Sequence, residues 1–269
     1  MSNRQIPTLT SYQQPFAAPA QTGGSGLTSR RALLAASLLL ATIIFGSCSA
    51  NTGLLLKSDG SAVLSVQFEI PAVVEQRLKN LAGSEASIRA GSFFNAEVVS
   101  TGMLLRGFRV QEARLPAANS FSGVFTLPSL SAFLENDADM KQAGVLRLTR
   151  GSGWQELQLL INRGNAATLI ELFPSLDRQL LESLSPPALY DLPVSKADYR
   201  SMLAALLGQA AISAMDQSSS KLSIQVPGRI LEAEGGSISS DRRSLEFSLP
   251  ILDAMVLEQP VSLRVRWSD

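Results

Sequence analysis

An α+β domain, with a curved antiparallel sheet and helices packed on one of its faces, is the fold the sequence predicts. Three observations predict it. Two-residue alternation of apolar and polar side chains recurs near both ends of the domain, through Leu64, Val66, Phe68 and Ile70, then Leu222, Ile224 and Val226, Leu245, Phe247 and Leu249, and Leu263, Val265 and Trp267. Strands of this kind keep one face for a core and one for water, as antiparallel sheets do. Between them, from about residue 165 to 216, the spacing becomes helical. Short turn signals, Ser58-Asp-Gly-Ser61 and Gly151-Ser-Gly153, join neighbouring strands as hairpins.

The chain opens with residues 1–29, polar and rich in Pro, Gly, Ser, Thr and Gln. Such a stretch cannot bury a core and is expected to be disordered. The next methionine is Met103, so 1–29 also reads as a mis-called extension, with a start near Leu27. Arg30 and Arg31 then precede about fourteen mostly apolar residues, Ala32 to Phe45, the charged region and short apolar core of a secretory signal. That core is shorter than the roughly 20 residues a spanning helix needs. Gly46 and Ser47 lead into Cys48, the only cysteine of the chain. Residues 30–47 are therefore read as a lipoprotein signal resembling the bacterial lipobox, and Cys48 as the residue that takes a diacylglycerol. Phe45 and Ser47 depart from the usual residues at their places. An uncleaved anchor stretched from Ala32 to Leu56 is the alternative, and Gly46, Ser47, Asn51 and Gly53 make its second half a poor helix. Ser29-Arg-Arg-Ala-Leu-Leu34 partly resembles a twin-arginine export signal but lacks the usual Phe and Lys.

Residues 48–52 form the expected lipidated tether and residues 53–269 a single domain. Leu54–Lys57 and Ala62–Ile70 are its first strands. Pro71 ends the second, and Val73 to Ala82 has helical spacing closed by Gly83. Ser92 to Leu105 is read as a second helix, Gly107–Leu115 and Ser120–Leu127 as strands, and Leu130–Leu134 as a short helix after Pro128. Gly144–Arg150 and Trp154–Asn162 make the hairpin across Gly151-Ser-Gly153. Ala166–Phe173 and Leu176–Leu184 follow as helices before Ser185-Pro-Pro187. Ser195-Lys-Ala-Asp198 then reads as a capping box for a helix through about Met215, with Tyr199, Met202, Leu203, Leu206, Leu207 and Ala210 as its buried stripe. In the last third, Pro227-Gly228 marks a bend, and Glu234-Gly-Gly-Ser237 or Asp241-Arg-Arg243 supplies a turn.

Composition excludes whole classes of chemistry. The chain has no histidine and spends its one cysteine at the anchor, which removes Ser-His-Asp and Cys-His catalysis, ordinary zinc and haem sites, and disulfides. A core must therefore hold the domain, and about 220 residues suffice for one. Removing the signal takes Arg4, Arg30 and Arg31 with it and leaves 20 Lys and Arg against 23 Asp and Glu. That balance argues against nucleic acid and against attachment through a polybasic patch. Carboxylate chemistry is what remains. Glu135, Asp137 and Asp139 cluster in one loop rather than converging from separate elements. As a calcium loop the cluster fails, because Lys141 and Gln142 stand where an acidic ligand and a glycine belong. Gly151-Ser-Gly-Trp-Gln-Glu156 lacks the third glycine of a dinucleotide loop. The reading is a non-enzymatic protein with no catalytic residues, cofactor or metal.

The segments Leu54-Leu-Leu-Lys-Ser-Asp-Gly-Ser-Ala-Val-Leu-Ser-Val66, Leu222-Ser-Ile-Gln-Val-Pro-Gly-Arg-Ile230, Leu245-Glu-Phe-Ser-Leu-Pro-Ile251 and Leu263-Arg-Val-Arg-Trp267 together resemble the LppM-type domain of bacterial lipoproteins. The resemblance implies an extracytoplasmic, lipid-anchored module in the cell envelope, with no known catalytic residues and with envelope lipid or glycolipid as ligand. Two functions are expected on this basis. One is binding of an amphipathic lipid or glycolipid between the sheet and the helix at 196–215. The other is a scaffold for an envelope protein partner, contacted through the polar sheet face or an edge strand.

Overall fold

The computed structural model describes residues 49–82, 94–171, 184–190 and 193–269. The signal, Cys48, the Gly83 helix end and residues 172–183 of the two helices read at 166–184 lie outside the described residues. The α+β class stands, and the strands divide between two sheets.

The larger sheet is built on β1 (Ser49–Leu56) and β2 (Ala62–Glu69), a hairpin whose turn places Gly60 at φ 83° and is clasped by Ser61 donating to Asp59. On the β2 side it continues through β4 (Ser120–Leu127) to β3 (Arg109–Arg114) at the edge. On the β1 side it continues through β7 (Ser219–Gln225) and β10 (Ser244–Pro250) to the two-residue β9 (Ser237–Ile238). The β1–β7 pairing is parallel, so this sheet is mixed rather than wholly antiparallel. The smaller sheet, in the order β5-β6-β11-β8, comprises β5 (Leu146–Gly151), β6 (Trp154–Ile161), β11 (Val261–Ser268) and β8 (Ile230–Glu234). Gly235, at φ 82°, carries the chain from β8 in one sheet to β9 in the other. A Cβ there would stand 2.2 Å from the Ser262 carbonyl oxygen.

One core lies between the sheets. Leu54, Leu64, Phe125, Ile224 and Leu245 stand in one register row of the large sheet and face Leu157, Leu159, Leu263, Val265 and Trp267 of the small one. Four helices seal its margins: α2 (Ala96–Leu105), α3 (Leu130–Asn136), α4 (Ala138–Ala143) and α5 (Arg163–Glu171), with the turn α6 (Pro187–Tyr190). The second sheet thus takes much of the covering role expected of helices.

The remaining helices build a second core at one end of the large sheet. They are α1 (Ala72–Ala82), leaving β2; α7 (Lys196–Leu207) and α8 (Gln209–Asp216), leading into β7; and α9 (Ile251–Val256), leaving β10. Helices α1, α7 and α8 pack on one another and on α9 rather than on a strand. The single helix expected from 196 to 215 is broken at Gly208, whose φ 85° and ψ 157° no helix accommodates. Of its expected stripe, Tyr199, Leu203 and Leu207 are buried, whereas Met202 and Leu206 are 43% and 38% exposed and Ala210 is exposed. The buried line passes instead to Ala211, Ile212 and Met215.

Strand β1 also differs from expectation, starting at Ser49 rather than Leu54. Ser49–Asn51 lack the apolar alternation that would announce a strand. Ala50 nevertheless fits the core row between Phe68 and Ser220, where a small residue suffices. Ser49–Thr52, read as tether, are therefore sheet.

Candidate functional site

Alternation on the large sheet leaves a face that no second layer covers among the described residues. Two register rows run across it. Ser122, Gln67, Asn51, Lys221 and Ser248 form the first, and Val124, Ser65, Gly53, Ser223, Glu246 and Ser237 the second. They line an open hollow of about 550 Å³. Apart from Val124 its floor is polar, because the strands turn most of their apolar residues to the other face. Gly53 keeps the middle shallow-walled, since a Cβ there would lie 2.5 Å from Ser65 Oγ.

The chemistry on offer is hydroxyl, amide, one ammonium and one carboxylate. Ser65 Oγ donates weakly to the Gly53 carbonyl at 3.4 Å and Ser122 Oγ to Glu112 at 3.5 Å. Among the described residues the side chains of Asn51, Gln67, Lys221, Ser223, Glu246 and Ser248 have no hydrogen-bond or ion-pair partner. Exposed polar groups left free in register are suited to a hydrophilic ligand rather than to acyl chains, which need an apolar cavity.

Of the other residues singled out from the sequence, Asp137 and Gly151 have structural work, and the Asp139 side chain lies outside the described residues. Asp137 is buried, its carboxylate caps α4 by accepting from Met140 N at 3.0 Å, and it pairs with buried Arg106 at 3.3 Å. Glu135 is exposed. Gly151 closes the β5–β6 hairpin against the Trp154 ring. No group of three metal-ligating side chains occurs among the described residues. Nor is any helix among them long and apolar enough to cross a membrane.

On the outer face of the small sheet the charges of β6, β8 and β11 are already paired. Arg264 bonds Glu232 and Glu234, the Glu234 bond foremost in holding its guanidinium above the ordinary arginine value. Arg266 bonds Glu156 at 2.7 Å and lies 4.5 Å over the Trp154 ring.

Alternation with Leu64, Val66 and Phe68 puts Ser65 and Gln67 on the wet side of β2, but it does not assemble the hollow. The signal was present strand by strand; what brings the strands side by side is the parallel β1–β7 pairing.

The chain is similar in structure to the folded domain of Mycobacterium tuberculosis LppM, with 12% identity and a TM-score of 0.40, over 82% of this chain and 90% of that one. No protein-family model matches the chain, and no curated protein does.

Proposed function

We propose that the protein is a lipid-anchored binding module of the cell envelope, non-enzymatic, tethered at Cys48 and facing the periplasm or exterior. Its ligand is the hydrophilic headgroup of an envelope lipid or glycolipid, held on the polar sheet face while the acyl chains remain in the bilayer. This moves the ligand from the position expected between sheet and helices, where apolar side chains pack into core, to the opposite face. The observation that carries the reading is position. Asn51 is three residues beyond Cys48 on an extended strand, so the middle of the hollow's first row lies within about 10 Å of the anchored residue. A ligand there must be one that lives at the membrane surface.

Mass spectrometry of protein extracted from native membranes, with and without Cys48→Ala, tests the anchor, and lipid analysis of the purified protein tests the ligand. The expected result is a mature N-terminus at diacylated Cys48 with a co-purifying lipid that is lost in Asn51→Ala/Gln67→Ala/Lys221→Ala. An unmodified Cys48 on an intact chain removes the anchor. A lipidated protein free of ligand turns the reading to a scaffold that presents the same polar face to a protein partner.

A further inference from the structure

The hairpin α7–α8 carries not one charged residue between Arg200 and Asp216. Those two residues close its neck: Arg200 donates to both oxygens of Asp216, at 2.7 to 3.2 Å. One side of the charge-free stretch is core, through Leu203, Leu207, Ala211 and Ile212. The other side should carry Lys and Glu if it faced only water. It carries Met202, Ala205, Leu206 and Ala210 beside the uncharged Ser201, Gln209 and Ser213, all exposed.

The position of this hairpin decides its occupant. Asp216 is three residues before Ser219, which pairs with Ser49, and Lys196 at the start of α7 pairs with Asp253 of α9 at 2.7 Å. Both feet of the hairpin therefore stand at the end of the sheet where the chain arrives from Cys48. From there α8 extends for about 12 Å at 1.5 Å per residue, without packing on any strand. At the tip, the Arg77 guanidinium of α1 lies within 3.9 Å of where a Gly208 Cβ would be. Leu81, one turn further along α1, is 40% exposed. Arg77 has no ion-pair partner among the described residues.

We propose that the exposed side of α7–α8, with Leu81 beside it, is a membrane-contact surface that seats in the bilayer interface, with Arg77 at its tip meeting lipid phosphates. The proposal rests on the anchor at Cys48, which leaves Ser49, already in the sheet, at the lipid surface with no slack. A surface helix buried about 5–10 Å into the headgroup boundary matches the reach of the hairpin. Arg77 snorkels there as basic side chains do at interfaces, and the apolar stripe supplies the affinity without a polybasic patch.

The test uses the full chain in vesicles of phosphatidylethanolamine and phosphatidylglycerol. A diacylated Cys48 has no thiol, so Ala210→Cys takes an environment-sensitive fluorophore alone, with Ser239→Cys, in the turn beyond β9, as the control. Lipids carrying a shallow spin label are expected to quench the fluorophore at 210 and not at 239. Met202→Glu/Leu206→Glu is expected to abolish the quenching while the far-ultraviolet circular dichroism is unchanged. Equal quenching at 210 and 239 overturns the proposal. So does a fluorophore at 210 that is shielded without lipid because two copies of the chain pair through this face. Intact mass reports the anchor separately: an unmodified Cys48 removes the anchor, and quenching that persists in Cys48→Ala/Ala210→Cys, where the fluorophore again has a single thiol to take, leaves the hairpin contact standing.

Discussion

Thr52 is a polar residue in an apolar row. It is 3% exposed, it lies between Val66 and Leu222 on the core face, and its Oγ1 has no hydrogen-bond partner. A buried hydroxyl left unpaired costs about 1–3 kcal/mol, so Thr52→Val, of the same shape, is expected to raise stability by about 1 kcal/mol in urea unfolding. A lower midpoint would mean that the hydroxyl has a partner. Tyr199 is the opposite case: 1% exposed, its hydroxyl donates to the Leu184 carbonyl at 3.0 Å, and burial pushes its phenol well above the ordinary value of 10.0. A group whose pKa is raised by folding contributes stability in full below its unfolded pKa and loses it as pH rises through the folded one. The protein should therefore weaken as pH climbs above 10.0. Tyr199→Phe should remove that part of the alkaline loss, at a cost near neutrality of about 1 kcal/mol for one hydrogen bond. Unfolding curves below and above pH 10.0 separate the two effects.

At the scale of the element, Gly208 does what no other residue in the hairpin can. Its φ of 85° with an extended ψ turns α7 into α8 and sends the buried line from Leu207 to Ala211. Gly208→Ala is expected to destabilise by about 1–3 kcal/mol through backbone strain, with the loss read by urea unfolding; an unchanged midpoint would show the turn relaxing into continuous helix. The run from Ser195 to Met215 read as one helix because a lone glycine in an apolar helical pattern breaks it only when tertiary packing favours the break. Which side of that run is buried was not legible either. The choice belongs to α1 and α9, which arrive from distant parts of the sequence. The same holds for α9, whose residues from Ile251 to Val256 are all buried apart from Asp253 and show no amphipathic period to read. Strands with one wet face, such as β2 and β11, were legible because water and core label their alternate residues. The hollow drew on that same alternation, but register and neighbour order, which only the folded chain supplies, made it a site.

For the whole molecule, the decisive feature is that β1 is an interior strand and begins at the residue after Cys48. A lipoprotein domain on a flexible tether samples many heights and orientations above its membrane. Here the sheet itself would be attached, with the hairpin α7–α8 rising from the attached end and the polar hollow opening along the same strands. Anchor, hairpin contact and headgroup site would then act as one arrangement, each raising the effective concentration of the others at the lipid surface. A flexible Gly-Ser linker inserted between Cys48 and Ser49 uncouples them without touching the core, because Ser49 is exposed and all its strand partners are retained. Urea unfolding of the linker variant should be unchanged. Quenching at residue 210 should weaken, and the co-purifying lipid should fall with it, since a flexible chain of n residues spreads over about 5–6 Å × √n. If quenching and lipid capture both survive the linker at full strength, the hairpin and the hollow hold their ligands by affinity alone. The direct junction between Cys48 and β1 would then contribute nothing to function.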